Sequence, residues 1–150
     1  GGLNAEPVDL GAALEQSLAS FYTVLTEKGI EPEITMPSGQ VVRRLDRAAL
    51  SRVFSNLLSN AAKYSDGDLR VELTPGGKVK FSNRCRALTG VEVGKLFDRF
   101  YTVEAARKST GLGLSIARAL CERMGGELVA EYIDGSLVMT ADFSEAGTGQ

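Results

Sequence analysis

Asn56, Asn60 and Lys63 are spaced so that a helix would bring them to one side. At about 100° per residue they share a stripe roughly 60° wide. Beside it runs an apolar stripe of Leu50, Val53, Phe54, Leu57, Leu58, Ala61 and Tyr64. A carboxamide oxygen is a neutral ligand suited to a hard cation such as Mg²⁺, which keeps most of its waters and bridges to substrate phosphates. Lys63 would meet such phosphates as a point charge. The same periodicity also fits solvated polar residues at the edge of a core. A second candidate is Ser109-Thr110-Gly111-Leu112-Gly113-Leu114-Ser115. Glycines at a helix start let backbone N–H groups approach a phosphate at the positive end of the helix dipole, and hydroxyls add donors. A lone Gly-x-Gly serves equally well as a hinge with close helix packing.

Composition removes other chemistries. The chain of 150 residues has no histidine, which excludes a Ser-His-Asp hydrolase, a Cys-His protease, an HExxH zinc site and a Cys/His zinc finger. With 17 basic and 19 acidic residues and no polybasic run, a footprint on nucleic acid or direct contact with anionic membrane has no electrostatic support. Cys85 and Cys121 read as reduced thiols, so a cytoplasmic location is expected. No stretch approaches the roughly 20 apolar residues of a membrane span, and the first residues lack the charged and apolar regions expected of a signal peptide.

The elements that must position these residues follow from periodicity. Leu10, Ala13, Leu14, Leu18, Phe21, Tyr22 and Leu25 predict one helix from a cap at Asp9 to a stop at Gly29. Ile30 to Ile34 and Val41-Val42 read as short strands around the turn Pro37-Ser38-Gly39. The helix carrying Asn56 and Asn60 starts near Asp46, whose carboxylate can accept from free backbone N–H groups, and runs to about Tyr64. Alternation at Leu69, Val71, Leu73 and again at Val79, Phe81, across Pro75-Gly76-Gly77, predicts a hairpin. Between Asn83 and Thr110 the pattern is lost except for a short helical piece, Val93 to Phe100, and so long a loop is more often functional than idle. Leu112, Ile116, Ala119, Leu120 and Met124 predict a third long helix ended by Gly125-Gly126. Glu127 to Ile133 and Leu137 to Phe143 meet at Asp134-Gly135, a hairpin dipeptide. The expectation is one α+β domain over 1–150, a two-layer sandwich of about three long helices on one face of a mixed sheet. Its ordered core is expected over about 8–143, between Gly1-Gly2 and a frayed tail from Glu145, both read as cut ends.

Three segments together carry a more specific likeness. Asn56-Leu57-Leu58-Ser59-Asn60-Ala61-Ala62-Lys63-Tyr64-Ser65 resembles the N box of sensor histidine kinases. Lys95-Leu96-Phe97-Asp98-Arg99-Phe100-Tyr101 resembles their F box, and Thr110-Gly111-Leu112-Gly113-Leu114 their second glycine box, in the family's order and approximate spacing. The resemblance covers nearly the whole chain. It implies the Bergerat sandwich of the GHKL superfamily, an ATP·Mg²⁺ site, and the catalytic half of a two-component kinase. Its partners would be ATP or ADP, a histidine-bearing dimerisation domain of the parent and, indirectly, a response regulator; the parent would be an inner-membrane-anchored sensor. By the same resemblance Asn60 matches the Mg²⁺-binding Asn, Asn56 its companion, and Lys63 and Tyr64 the residues facing phosphates and nucleoside. Thr110, Gly111, Leu112, Gly113 and Leu114 match the phosphate-contacting turn. The segment 102–109 takes the place of the ATP lid, with Phe97 and Phe100 seating its stem.

Two positions depart from the family pattern. Where the family has an Asp that accepts from adenine's amino group, followed by Gly-x-Gly, this chain has Asn83 followed by Arg84-Cys85-Arg86. Asn83 keeps an acceptor oxygen, but a neutral one, and charge-assisted hydrogen bonds are worth about 1 kcal/mol more. Thr102 stands where many members carry a phosphate-binding Arg, for which Arg99, Arg107 or Lys108 can substitute. Residues 84–108 hold six basic and three acidic side chains, so a polyanion is still attracted. Two other readings stand beside the kinase. One is a non-catalytic interaction module with the same fold and weak or no nucleotide binding. The other is a GHKL ATP hydrolase, which would need a Glu at position 56 to activate water; an amide cannot act as a general base.

Overall fold

The computed structural model describes residues 2–86 and 112–147. The first strand, β1 (Ala5–Asp9), was not apparent from periodicity; it pairs antiparallel with β3 (Val42–Asp46) as a separate two-stranded sheet. Each strand runs directly into a helix through its last residue. Asp9 Oδ1 accepts from the Gly11 N–H at 3.1 Å to open α1 (Leu10–Ser20). Asp46 Oδ1 accepts from the Ala49 N–H at 3.0 Å to open α3 (Arg47–Tyr64). Both carboxylates satisfy donors that a helix start leaves without intrahelical partners.

The single first helix expected up to Gly29 is interrupted. It becomes α1 and α2 (Tyr22–Glu27), separated at Phe21, whose φ of −97° and ψ of 4° leave the helical region. The run Phe21-Tyr22-Thr23-Val24 is aromatic and β-branched, types that lose side-chain freedom against the preceding turn. The Phe21 N–H is shared between the carbonyls of Ser17 and Leu18 at 3.2 and 3.1 Å, a tightened last turn. Gly29, with φ of +71°, ends α2 as expected.

The two short strands around Pro37-Ser38-Gly39 both form, but they do not pair with each other. β2 (Glu33–Thr35) runs parallel to β4 (Arg70–Leu73), at one edge of a five-stranded sheet ordered β2-β4-β5-β7-β6. The remaining neighbours, β5 (Lys78–Arg84), β7 (Ser136–Asp142) and β6 (Glu127–Ile133), pair antiparallel. The sheet is therefore mixed. Asp134 and Gly135 both take positive φ, 50° and 81°, closing the β6–β7 hairpin as their types predict.

Alternation along the strands gives the sheet one apolar face. Val71 and Leu73, Val79, Phe81 and Asn83, and Leu137, Met139 and Ala141 are buried, with charged or polar residues between them except at Val138. Onto that face pack α1, α3 and α4 (Leu112–Arg123), with α3 against both other helices and over β5. The Phe54 and Phe81 rings, both fully buried, lie 6.0 Å apart at 49° and join α3 to β5. Removing either ring leaves a cavity worth about 3–5 kcal/mol. Packing reaches past the 8–143 expected: Ala146 is buried, and the Gly147 carbonyl accepts from the Arg44 N–H at 2.6 Å. A tail too polar to look like core is held by backbone hydrogen bonding, which composition does not encode.

Candidate functional site

The polar row on α3 exists because its neighbours are consumed by the core. Leu50, Val53, Phe54, Leu57, Leu58, Ala61 and Tyr64 are buried, and Asn56 and Asn60 are left half-buried at the margin with Lys63 exposed. Asn60 Nδ2 donates to the Asn56 carbonyl at 2.8 Å. That bond spends the amide's donor on the helix backbone and leaves its oxygen as the atom available to a ligand. Lys63 Nζ sits 5.8 Å from the Tyr64 ring centroid, within cation–π reach, and lines a hollow of about 300 Å³ with Lys28, Ala62, Ser65 and Asp66.

Asn83 lies on the helix-facing side of β5, two residues beyond Phe81, and is only 1% exposed. Its Nδ2 donates to the Arg84 carbonyl at 3.1 Å. Its Oδ1 is buried with no hydrogen-bond partner among the described residues. A buried acceptor left without a donor costs about 1–3 kcal/mol, which a ligand donor would recover. This orphaned oxygen is the most informative atom of the site.

The segment after Asn83 is anchored on both sides. The Arg84 N–H donates to Asp68 Oδ1 at 2.8 Å, and the Arg84 carbonyl accepts from the Asp66 N–H at 2.9 Å. Asp66 Oδ2 accepts from the Arg86 N–H at 3.0 Å and from Arg86 Nε at 3.3 Å. The Cys85 N–H donates to the Gly135 carbonyl, and the Cys85 carbonyl accepts from the Tyr132 hydroxyl, both at 2.9 Å. Sequence reasoning missed Asp66 and Asp68. Their only signal was a polar Ser-Asp-Gly-Asp turn after the N-box-like segment, and which backbone they would serve depends on strand register.

α3 packs on both β5 and α4. Leu114 and Ala117 of α4 are buried in that packing. The backbone of Leu112 and Gly113 opens α4. Phe97, Phe100, Lys108, Thr110 and Gly111, with the expected short helix at Val93 to Phe100, lie outside the described residues. Cys85 and Cys121 are buried and not in a disulfide. Burial, with Glu122 beside it, pushes the Cys121 thiol up to about 12, so it is an inert packing residue. A separate groove of about 620 Å³ between α1, α2 and β2, lined by Leu18, Tyr22, Leu25, Ile30, Pro32 and Ile34, contains none of the candidate residues.

Residues 45–148 match the family described as histidine kinase-, DNA gyrase B-, and HSP90-like ATPase. The chain belongs to this family. It is similar to the sensor protein VanSC of Enterococcus gallinarum, 32% identical over 144 residues, covering 91% of this chain and 40% of that protein. It is also similar to the swarming motility regulation sensor protein RssA of Serratia marcescens, 34% identical over 140 residues, covering 88% of this chain and 30% of that one. The chain therefore spans less than half the length of these relatives. Among solved structures, the catalytic domain of histidine kinase ThkA in a nucleotide-free form has a TM-score of 0.83 at 19% identity, covering 97% of this chain and 99% of that one. The mycobacterial sensor histidine kinase MprB has a TM-score of 0.77 at 26% identity, covering 91% and 95%. The α+β sandwich expected from the sequence is the fold of these catalytic domains, and the chain carries the ATPase-family domain that it shares with relatives named as sensor proteins. No helix among the described residues is long and apolar enough to cross a membrane.

Proposed function

We propose that this single domain binds ATP with Mg²⁺ in the cytoplasm and donates the γ-phosphoryl group to a histidine on a separate domain of the parent kinase, upstream of a response regulator. The observation that carries this reading is the buried Oδ1 of Asn83, without a hydrogen-bond partner among the described residues, on a strand packed under the helix that carries the row Asn56, Asn60 and Lys63. An exocyclic amino group of a purine is the donor that the oxygen lacks. Asn60 would hold the metal through its side-chain oxygen, where Mg²⁺ would neutralise charge on the phosphates. Lys63 and the opening turn of α4, with Thr110, Gly111 and Gly113, would meet the phosphates, as Asn56 and Tyr64 would meet the nucleotide from α3, and Phe97, Phe100 and Lys108 would complete the enclosure. In the transfer, the bond between the γ-phosphorus and the bridging oxygen breaks and its electron pair leaves with ADP. A lone pair of the acceptor imidazole forms the new P–N bond. The protein's part is to position donor and acceptor and to balance charge.

ShkA, whose full-length structure has a TM-score of 0.78 to this chain at 24% identity, was solved in complex with AMPPNP, which supports a nucleotide as ligand here. Asn56 disfavours the hydrolase reading, because an amide cannot activate water as a general base. Calorimetric titration with ATP and ADP, with and without Mg²⁺, tests the proposal: saturable binding at micromolar to sub-millimolar strength is expected. Absence of heat and of thermal shift at millimolar nucleotide would leave the interaction module in its place.

A further inference from the structure

We infer that Asp68, acting with the Asp66 backbone, is a positioning residue that locks the Asn83 amide with its oxygen toward the nucleobase and so makes the site select adenine over guanine. The inference rests on the nucleotide reading above and adds to it a specificity device. An asparagine amide has nearly the same shape after a 180° flip, so sterics alone do not decide whether it presents an acceptor or a donor. The two orientations would favour opposite purines. An outward oxygen accepts from the 6-amino group of adenine, whereas an outward NH₂ would donate to the 6-oxygen of guanine.

The choice is made by the Arg84 carbonyl, which accepts from Asn83 Nδ2 at 3.1 Å. Flipping the amide would face two oxygens with no proton between them, losing one hydrogen bond and adding a repulsion. That carbonyl orients Asn83 only if its own peptide is fixed. Strand β4 cannot fix it, because the β4–β5 ladder ends at the pair Arg70 and Ser82. Beyond the ladder the 65–68 turn takes over. Asp68 Oδ1 accepts from the Arg84 N–H at 2.8 Å, and the Asp66 N–H donates to the Arg84 carbonyl at 2.9 Å. Ser65 Oγ braces the turn by donating to the Asp68 carbonyl at 2.5 Å and accepting from the Gly67 N–H at 2.8 Å. On the other side Arg84 pairs with Ser136 of β7. The peptide that carries the Arg84 carbonyl is thereby held at that carbonyl by the Asp66 N–H and at its own N–H, that of Cys85, by the Gly135 carbonyl. Asp68 holds the adjoining 83–84 peptide through a short, charge-assisted bond to the Arg84 N–H and so fixes Arg84 on both sides of its Cα. Because Asn83 is neutral, the acceptor it presents does not titrate.

The test is competitive binding of ATP and GTP to the whole chain and to three variants. The wild-type chain is expected to prefer ATP by at least about tenfold, since a site built around one hydrogen bond rejects the analogue that cannot make it. Asp68→Ala should bring the preference to within about threefold, mainly by weakening ATP. Asp68→Asn, whose side-chain oxygen still accepts from the Arg84 N–H, should restore the wild-type ratio. An Asp68→Ala protein that melts lower but keeps the full preference would show Asp68 to be merely structural and overturn the inference. Asn83→Leu separates the two levels. If it binds ATP as tightly as wild type, the placement of the base at Asn83 fails and the inference fails with it. If it binds weakly while Asp68→Ala keeps its preference, only the lock fails. Should Asp68→Ala not fold, the wild-type chain without nucleotide decides by NMR. One Asn83 Nδ2 proton should be shifted downfield and exchange more slowly than those of exposed Asn4; equivalent, freely exchanging protons would overturn the lock.

Discussion

Replacing Asn83 by Asp sets two effects of the same atom against each other, and the structure gives each a size. For binding, a carboxylate in place of the amide oxygen turns a neutral acceptor into a charged one. That gain is about 1 kcal/mol, or roughly fivefold in ATP affinity. For folding, the substitution removes the donor that meets the Arg84 carbonyl at 3.1 Å and puts a carboxylate at a position 1% exposed. The carbonyl keeps its second donor, the Asp66 N–H, so most of the cost is the buried charge, on the order of 1–3 kcal/mol. For a domain of this size that lowers the melting temperature by roughly 2–12 °C at neutral pH. The deficit should depend on pH in a defined direction. Burial raises the folded-state pKa of the new carboxyl above its unfolded value near about 3.9. Below the unfolded value the protonated group donates to the Arg84 carbonyl as Nδ2 did, and the deficit is small. It grows as pH rises through the raised pKa and is complete above it. Melting curves of wild type and Asn83→Asp at about pH 4.5 and about pH 7.5, with titrations of ATP and GTP at the higher pH, measure all three quantities. Identical melting at both pH values would refute the buried, tied amide. An equal gain for ATP and GTP would refute its placement against the base.

Asn60→Ala should cost little fold stability, because the side chain is half-buried and its hydrogen bond to the Asn56 carbonyl is local to α3, and alanine's helix propensity offsets part of the loss. What it should remove is the Mg²⁺ dependence of ATP binding by calorimetry, together with phosphohistidine labelling when the domain is mixed with its histidine-bearing partner; near wild-type labelling would sink the metal assignment. Gly126→Ala would place a Cβ 2.7 Å from the Asp142 carbonyl oxygen and 2.7 Å from Phe143 Cδ1. Backbone cannot yield cheaply there, so a loss of about 1–3 kcal/mol in urea unfolding is expected, with fold retained. The Asp46 carboxyl is held below its ordinary pKa by the N–H groups of Asn4 and Ala49. Its contribution is therefore present at neutral pH and lost as pH falls below about 4 toward the depressed value; Asp46→Ala should flatten the acid limb of the stability–pH curve, and an unchanged limb would show that the cap carries no charge-linked stability.

Much of this molecule is local and hence readable from the chain. The caps at Asp9 and Asp46, the apolar stripe of α3, the Asp134-Gly135 turn and the edge row of Asn56, Asn60 and Lys63 each follow from side chains within a turn or two of one another. The break at Phe21 was legible in principle, since its aromatic and β-branched run lies in plain sight, yet the apolar period continued through it and concealed it. β1 and the parallel pairing of β2 with β4 were not legible, because strand partners far apart in sequence are chosen by which faces the core can bury, and short strands carry little period of their own. The candidate site divides along the same line. Residue type alone made Asn60 a candidate ligand for a hard cation and gave Asn83 an acceptor oxygen. Only the tertiary structure decided that the Asn83 oxygen is the buried end without a partner among the described residues, that the Arg84 carbonyl holds the other end, and that Asp66 and Asp68 hold the peptides on either side of the Arg84 Cα. The physical reason is that hydrogen-bond capacity belongs to a residue, but its saturation depends on neighbours 16 to 20 positions away that register alone brings to about 3 Å.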